Sequence, residues 1–408
     1  MRVVMATFGT AGDVTPFVEL GRVLLARGHE VEVVTDAAHR DAVEARGLAA
    51  RTPIRRYDPV ALTSEPRYAE PGLGPYRLWR DVFVPLVPEM FHAVRAALAR
   101  PAAVVVVHPW SHGALYAARA ARTPVASLAM APVTWWSWTD PGLYSHQALP
   151  VPLRRFLMRW PVRWLLDGVF GAGLARARRE LQLPPLERPF FALGREAEVA
   201  YGLWSPLLRG PAADDPRGAT LCGFLRGPPA PGPLPAALEA FLAAGPAPVV
   251  VGVGSLLPPM AGALYLAARD LARAMGERVV LVGAEPGLAA PDALVVPHVP
   301  YAALFPRARA VLHHGGAGTL SEALRAGRAQ VIVPFGNDQF DNADRCERLG
   351  VARSIPRPRF TPRRLEDALA WALQPSSRER AEQVAALLRA ERDGAEVVAG
   401  DLEGRFGG

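Results

Sequence analysis

The sequence predicts an α/β protein made of two doubly wound parallel-sheet domains, on three observations. Apolar β-rich runs alternate with stretches of helical apolar spacing, a pattern that produces parallel sheets covered on both faces. The alternation breaks once, at residues 226–235 (RGPPAPGPLP), where six of the seven residues from 227 to 233 are Pro or Gly. Beyond that extended, semi-rigid segment the alternation starts again. A chain of 408 residues has room for two such domains at roughly 100–200 residues each.

Residues 2–8 (RVVMATF) read as a strand, 9–12 (GTAG) as a turn, and 17–27 as a helix that Gly28 stops before a strand at 30–35. Further on, 103–107 and 125–128 read as strands around a helix at 111–121. Stretches 52–90 and 130–170 carry Pro, Trp and Tyr without clean periodicity and read as insertions or lids at one end of the sheet. In the rear half, strands are expected at 247–253, 278–282, 294–296, 310–313 and 330–334, with helices at 264–275 and from about Gly318. The domains are drawn at 1–225 and 236–380, with a Pro-rich linker at 226–235. Residues 381–408 form a helical tail expected to pack back on the first domain.

Composition excludes several classes. Half the residues are apolar and about a fifth are charged, enough to bury a sizeable core. Cys222 and Cys346 are too few for a disulfide framework or a four-cysteine zinc site and fit a reducing compartment. The chain has no lysine, so all 46 basic residues are arginine, and Walker A phosphate loops and pyridoxal-phosphate imines are ruled out. The net charge of +7 is spread along the chain rather than gathered in a basic stripe with interleaved aromatics, so no nucleic-acid groove is expected. No secretory leader is visible and no uncharged apolar stretch approaches the ~18 residues of a spanning helix, so the expected location is cytoplasmic, without membrane insertion.

The strongest chemical signal is His313-His314-Gly315-Gly316-Ala317-Gly318-Thr319, between a buried strand and a helix that carries Glu322. Glycines let the backbone approach a ligand, and the helix start offers N–H groups and a positive dipole end, a lysine-free seat for a diphosphate. A histidine there can add a charge-assisted hydrogen bond, and Glu322 can reach ribose hydroxyls. Zinc fits poorly, because adjacent histidines point to opposite faces. Just past the next strand, Asp338, Gln339 and Asn342 carry donors and acceptors suited to sugar hydroxyls. Asp13, between the first glycine turn and its helix, reads either as a helix cap or as a general base. His108, after strand 103–107 and near Trp110, should emerge at the same sheet edge as Asp13, or is a satisfied core histidine. Trp79, Phe83, Trp110, Trp135, Trp136, Trp138 and Tyr144 either pack the core or line an aromatic acceptor pocket.

The pieces FGTAGDVTPFVELGRVLLARGHEVEVVT, HHGGAGTLSEALRAG and PFGNDQFDNADR resemble the nucleotide-sugar-dependent glycosyltransferases of GT-B fold, in the bacterial branch that decorates antibiotics. The resemblance runs in order to about residue 355. It implies two Rossmann-like domains facing across a cleft and transfer from a UDP- or TDP-sugar to a hydroxyl of a hydrophobic aglycone, with inversion and without metal or other cofactor. By that resemblance His314, Gly316, Gly318, Thr319 and Ser255 contact the donor diphosphate, and Glu322 holds the ribose. Asp338 and Gln339 hold the sugar, while His298 and Val299 lie in the base-binding segment. Asp13 matches the acidic base; other branches place His there with an Asp after the strand of 103–107, where this chain has His108, so Asp13 acts alone or with His108. Other readings are a lipid or sterol glycosyltransferase resting on a membrane through the basic, aromatic stretch 154–163, and a non-catalytic nucleotide-sugar-binding subunit. The resemblance leaves open a homodimer or an activator protein.

Overall fold

The computed structural model describes residues 1–54, 65–69, 73–143, 145, 149–159, 161–226, 234–254 and 261–408. Ser255, Tyr144 and residues 227–233 of the Pro-rich segment lie outside the described residues. The chain divides into two compact units: the first holds residues 1–142, 148–226 and 392–408, the second 143–147 and 227–391.

The first unit is built on seven strands, all parallel: β1 (Arg2–Ala6), β2 (Glu30–Asp36), β3 (Ala49–Ile54), β4 (Val104–Val107), β5 (Val125–Ala129), β6 (Val199–Gly202) and β7 (Ala219–Leu221). Their spatial order is 3-2-1-4-5-6-7. Because successive side chains alternate across a strand, β1 sends Val4 and Ala6 into one buried cluster and Val3 and Met5 into another. The first cluster is covered by the helix Val84–Ala97 and the helix His112–Ala120, the second by the helix Ala11–Ala26 and the helix Gly394–Phe406. The order reverses direction between β1 and β4. At such a switch point the connections leave on opposite faces and a crevice opens at the carboxyl ends of the strands. Asp13 follows β1 and His108 follows β4.

The second unit has six parallel strands, β8 (Val249–Gly252), β9 (Val279–Val282), β10 (Ala293–Val296), β11 (Ala310–His313), β12 (Gln330–Ile332) and β13 (Ala352–Ser354), in the order 10-9-8-11-12-13. Its switch point lies between β8 and β11, and β11 runs directly into the double histidine. The helix Pro375–Ala390 belongs to this unit and runs unbroken through residue 381, where the sequence reading began the tail. The segment that returns to the first unit is the helix Gly394–Phe406. It buries Ala395, Val398, Ala399 and Leu402, and its Asp401 Oδ2 accepts the Tyr201 hydroxyl at 2.7 Å. Among the described residues no helix is long and apolar enough to cross a membrane.

Candidate functional sites

At the first switch point the turn after β1 leads into the helix Ala11–Ala26, with Thr10 as its N-cap and Asp13 three residues on. Asp13 Oδ2 accepts from the Thr10 backbone N–H at 2.8 Å and from its hydroxyl at 2.9 Å, while Thr10 Oγ1 accepts the Gly12 N–H at 3.2 Å. The carboxylate folds back over Gly9, whose φ of +133° is a left-handed-side conformation and where a Cβ would sit 2.5 Å from Asp13 Oδ2. The helix thus begins six residues before the expected 17–27, its N-cap is Thr10 rather than Asp13, and Asp13 is the N3 residue that bonds back to the cap. Its side chain nevertheless stays 34 % exposed, so the same carboxylate can reach a ligand. Thr10 was missed by sequence reasoning, although Thr-x-x-Asp at 10–13 has capping-box spacing.

His108 brings β4 to the same place. Its Nε2 lies 3.4 Å from Asp13 Oδ1, and its ring is buried against Phe8 and Phe17. Its Nδ1 accepts the Trp110 backbone N–H at 3.2 Å, so the ring proton sits on Nε2 and faces the carboxylate. Burial opposes the charge on Asp13, but the His108 ring and the Thr10 donors outweigh it and hold the carboxyl below the ordinary aspartate value. The acid is the outer member of the pair and the imidazole the inner one.

The tryptophans divide. Trp79 is core: its Nε1 donates to Phe170 O at 2.9 Å and its ring packs edge-on against Phe83, Trp110 and Phe190. Trp135 is also buried, against Trp204 and under the Arg209 guanidinium. Trp110 and Trp136 are half-buried, and Trp136 holds a left-handed φ of +50°, an outlier for so bulky a residue, with its ring edge-on to Phe190 and Phe191. Trp110, Trp135 and Trp136 share the wall of a cavity of about 350 Å³ with His112, Phe190 and Asp214. Trp135 Nε1 and His112 Nδ1 are buried without a hydrogen-bond partner among the described residues, and burial lowers the His112 ring to about 3, which keeps it neutral. Sequence reasoning missed His112; it lies on an apolar helix with nothing to set it apart. Asp214 accepts from the Ser137 hydroxyl at 2.7 Å and the Trp138 N–H at 2.6 Å, tying down the loop that carries Trp136.

The basic run 154–163 lies on two helices, Val151–Arg159 and Pro161–Glu180. Arg155 Nε donates to Thr139 O, Arg163 Nη1 to Trp136 O, and Arg159 stacks on Trp138. Arg155 and Arg159 remain exposed, beside the exposed apolar side chains of Phe156, Trp164 and Leu165.

At the second switch point the two histidines have separate work. His313 is buried; its Nε2 pairs with Gln330 Oε1 at 2.8 Å and its Nδ1 accepts the Gly315 N–H at 3.0 Å, so it shapes the turn. His314 lies beside the backbones of Gly254 and Gly316, and a Cβ on Gly316 would fall 2.3 Å from its Nε2. Burial, then the neighbouring His313, lowers the His314 ring to about 3. In the free protein His314 therefore offers a neutral ring, whose N–H can still donate a charge-assisted bond to an ionised phosphate oxygen, and its buried Nδ1 has no partner among the described residues. The helix Ala317–Arg325 starts from Gly316 with no side chain capping it, and Thr319 sits buried in its first turn. A Cβ on Gly318 would meet nothing within 4 Å, so the backbone there faces open space. Glu322 is ion-paired with Arg325.

Asp338 and Gln339 open the helix Gln339–Arg348 after β12. Gln339 Oε1 accepts the Phe335 and Gly336 N–H groups at 2.8 and 3.2 Å, so the amide N–H groups are what Gln339 has to offer a ligand. Asn342, read as a sugar-hydroxyl group, instead points its amide at Gly315 O and Asp338 Oδ2. Beyond β10, His298 is exposed near Tyr301, whereas Val299 is 1 % exposed in the core, leaving only its backbone for a base. Among the described residues no cluster of three or more His, Cys, Asp or Glu could hold a metal ion.

Residues 271–403 match the family model for the erythromycin biosynthesis protein CIII-like C-terminal domain, and residues 3–67 the glycosyltransferase family 28 N-terminal domain. The O-mycaminosyltylonolide 6-deoxyallosyltransferase of Streptomyces fradiae is 34 % identical over 96 % of this chain and 94 % of its own. The chain belongs to the antibiotic-type glycosyltransferases. Solved structures agree in fold. The glycosyltransferase of kitacinnamycin superposes with a TM-score of 0.75 at 24 % identity over 99 % of each chain. A Streptomyces glycosyltransferase complexed with thymidine diphosphate gives 0.67 at 20 % identity over 99 % of each. This glycosyltransferase therefore has the GT-B fold, with the double histidine in its C-terminal half.

Proposed function

We propose that this glycosyltransferase moves a sugar from a UDP- or TDP-sugar to a hydroxyl of a hydrophobic natural-product aglycone, inverting the anomeric carbon and using no metal. The observation that carries the reading is the uncapped helix start after His314. Its free N–H groups and dipole favour an anion, and one solved neighbour was complexed with thymidine diphosphate. His314, Gly316, Gly318 and Thr319, with Ser255, are assigned to the diphosphate. Glu322 takes the ribose after releasing Arg325, His298 and the Val299 backbone flank the base, and Asp338 and Gln339 hold the sugar.

Asp13 is assigned as the base. The acceptor hydroxyl gives its proton to Asp13 while its oxygen bonds to the anomeric carbon, and the bond to the diphosphate breaks on the opposite face. The leaving group departs with the electron pair, its charge met by the helix N–H groups and the His314 ring. His108 cannot take a proton on Nδ1 without losing the Trp110 N–H, so it serves by fixing and stabilising Asp13. The aglycone is assigned to the cavity of Trp110 and Trp136, whose half-buried rings offer it apolar faces.

Incubation with pooled UDP- and TDP-sugars and a panel of polyketide and phenolic aglycones should yield a glycoside by mass spectrometry, its inverted linkage read from the anomeric proton coupling. Nucleotide binding with no transfer to any acceptor would instead favour a non-catalytic subunit. Absence of both binding and product would remove the reading altogether.

A further inference from the structure

The two sequence motifs of the second unit are joined by one side chain. Asn342 is 1 % exposed, and its Nδ2 donates to Gly315 O at 2.9 Å and to Asp338 Oδ2 at 2.8 Å. Two acceptors at one end of the amide leave no doubt which end is the NH2. Both of its hydrogens are used: one on the turn after β11, the other on the carboxylate after β12. The opposite end, Oδ1, is buried with no partner among the described residues. An unmet buried carbonyl is costly, so an apolar residue would serve simple packing better. The amide is kept for what its two donors hold.

We propose that Asn342 is a positioning residue that sets the Asp338 carboxylate in register with the diphosphate-binding turn, so that sugar and diphosphate of one donor are gripped together. This rests on the donor reading above and adds to it a residue that touches neither part of the donor. Gly315 O belongs to the turn whose next residues form the uncapped helix start, and Asp338 is assigned to the sugar. A single amide bonded to both fixes their spacing, and a shift of either loop would break one of its bonds.

The test measures UDP, dTDP, UDP-glucose and dTDP-glucose binding by calorimetry on the whole chain. In Asn342→Ala the nucleotide sugar that the unaltered protein prefers should bind about tenfold more weakly, the equivalent of one charge-assisted hydrogen bond, while its nucleotide alone weakens no more than about threefold. Asn342→Asp supplies the second arm. Its carboxylate faces Asp338 and repels it when both are ionised, but once protonated its single O–H can restore the bond to Asp338, though not the one to Gly315 O. Nucleotide-sugar affinity in Asn342→Asp should therefore recover in part as pH falls, with circular dichroism unchanged, while the unaltered protein shows no such recovery. Equal loss of nucleotide and nucleotide sugar in Asn342→Ala, or an Asn342→Asp variant that is weak at every pH, overturns the proposal and leaves the donor reading standing. Failure of the unaltered protein to bind either nucleotide overturns both.

Discussion

The turn after β1 and the turn after β11 are the same device finished in two ways. Each lies at the switch point of a parallel sheet, each is rich in glycine, and each launches a helix. In the first, Thr10 caps the helix and the Asp13 carboxylate sits over the turn. A negative charge already lies at the positive end of that helix, so an incoming phosphate would meet repulsion. In the second, Gly316 caps nothing and the helix start stays open. The difference lets one architecture set a carboxylate over one helix start and leave the other open, which is what the proposed base and the proposed diphosphate seat each require.

The comparison is broken most severely at Asp13. Asp13→Asn should keep much of the turn and lose the base, lowering glycoside formation about 10²–10⁴-fold while UDP or dTDP affinity stays level. Should turnover persist, the capped turn is only structural. Next in size is Gly316→Ala, whose Cβ must displace the His314 ring. Nucleotide binding should weaken by about tenfold or more in calorimetry, the worth of a hydrogen bond to a charged group.

His108→Leu sharpens the first half of the comparison. Asp13 is active when ionised, and His108 is the principal group lowering its pKa against burial. Without the ring the Asp13 pKa rises, so the acidic limb of the rate profile should move to higher pH; an unmoved limb would uncouple the pair. The smallest effect expected is none. Treatment with EDTA should leave turnover unchanged within about twofold, and a large loss restored by a divalent cation would hand the diphosphate charge to a metal.

Much of this was legible before the fold was known, for reasons that differ by residue. The double histidine with its glycines, and Asp338-Gln339, are two short runs, each contiguous in sequence and each just past a strand, so a local reading finds them. Asp13 was legible as part of a helix start because capping is local, but the structure begins the helix at Ala11, gives the N-cap to Thr10 and leaves Asp13 in the first turn, partly exposed. The sequence reading put His108 at the same sheet edge as Asp13, and the structure supplies the reason, two strands about a hundred residues apart lying side by side. The aromatic residues were ambiguous for a related reason. Trp79 and Trp136 are chemically alike, and only packing buries one in the core and turns the other toward a cavity.

What the amino-acid order alone established is the alternation of strands and helices and the two glycine turns that launch a helix, because each is written within a few neighbouring residues. What only the tertiary structure decided is which groups meet. It made His314 neutral by burial, turned His313 and Gln330 into supports, put arginines 155, 159 and 163 against the Trp136–Thr139 loop, and bound Asn342 to two separate loops. Burial and hydrogen-bond partnership are properties of the folded chain, and no spacing in the sequence specifies them.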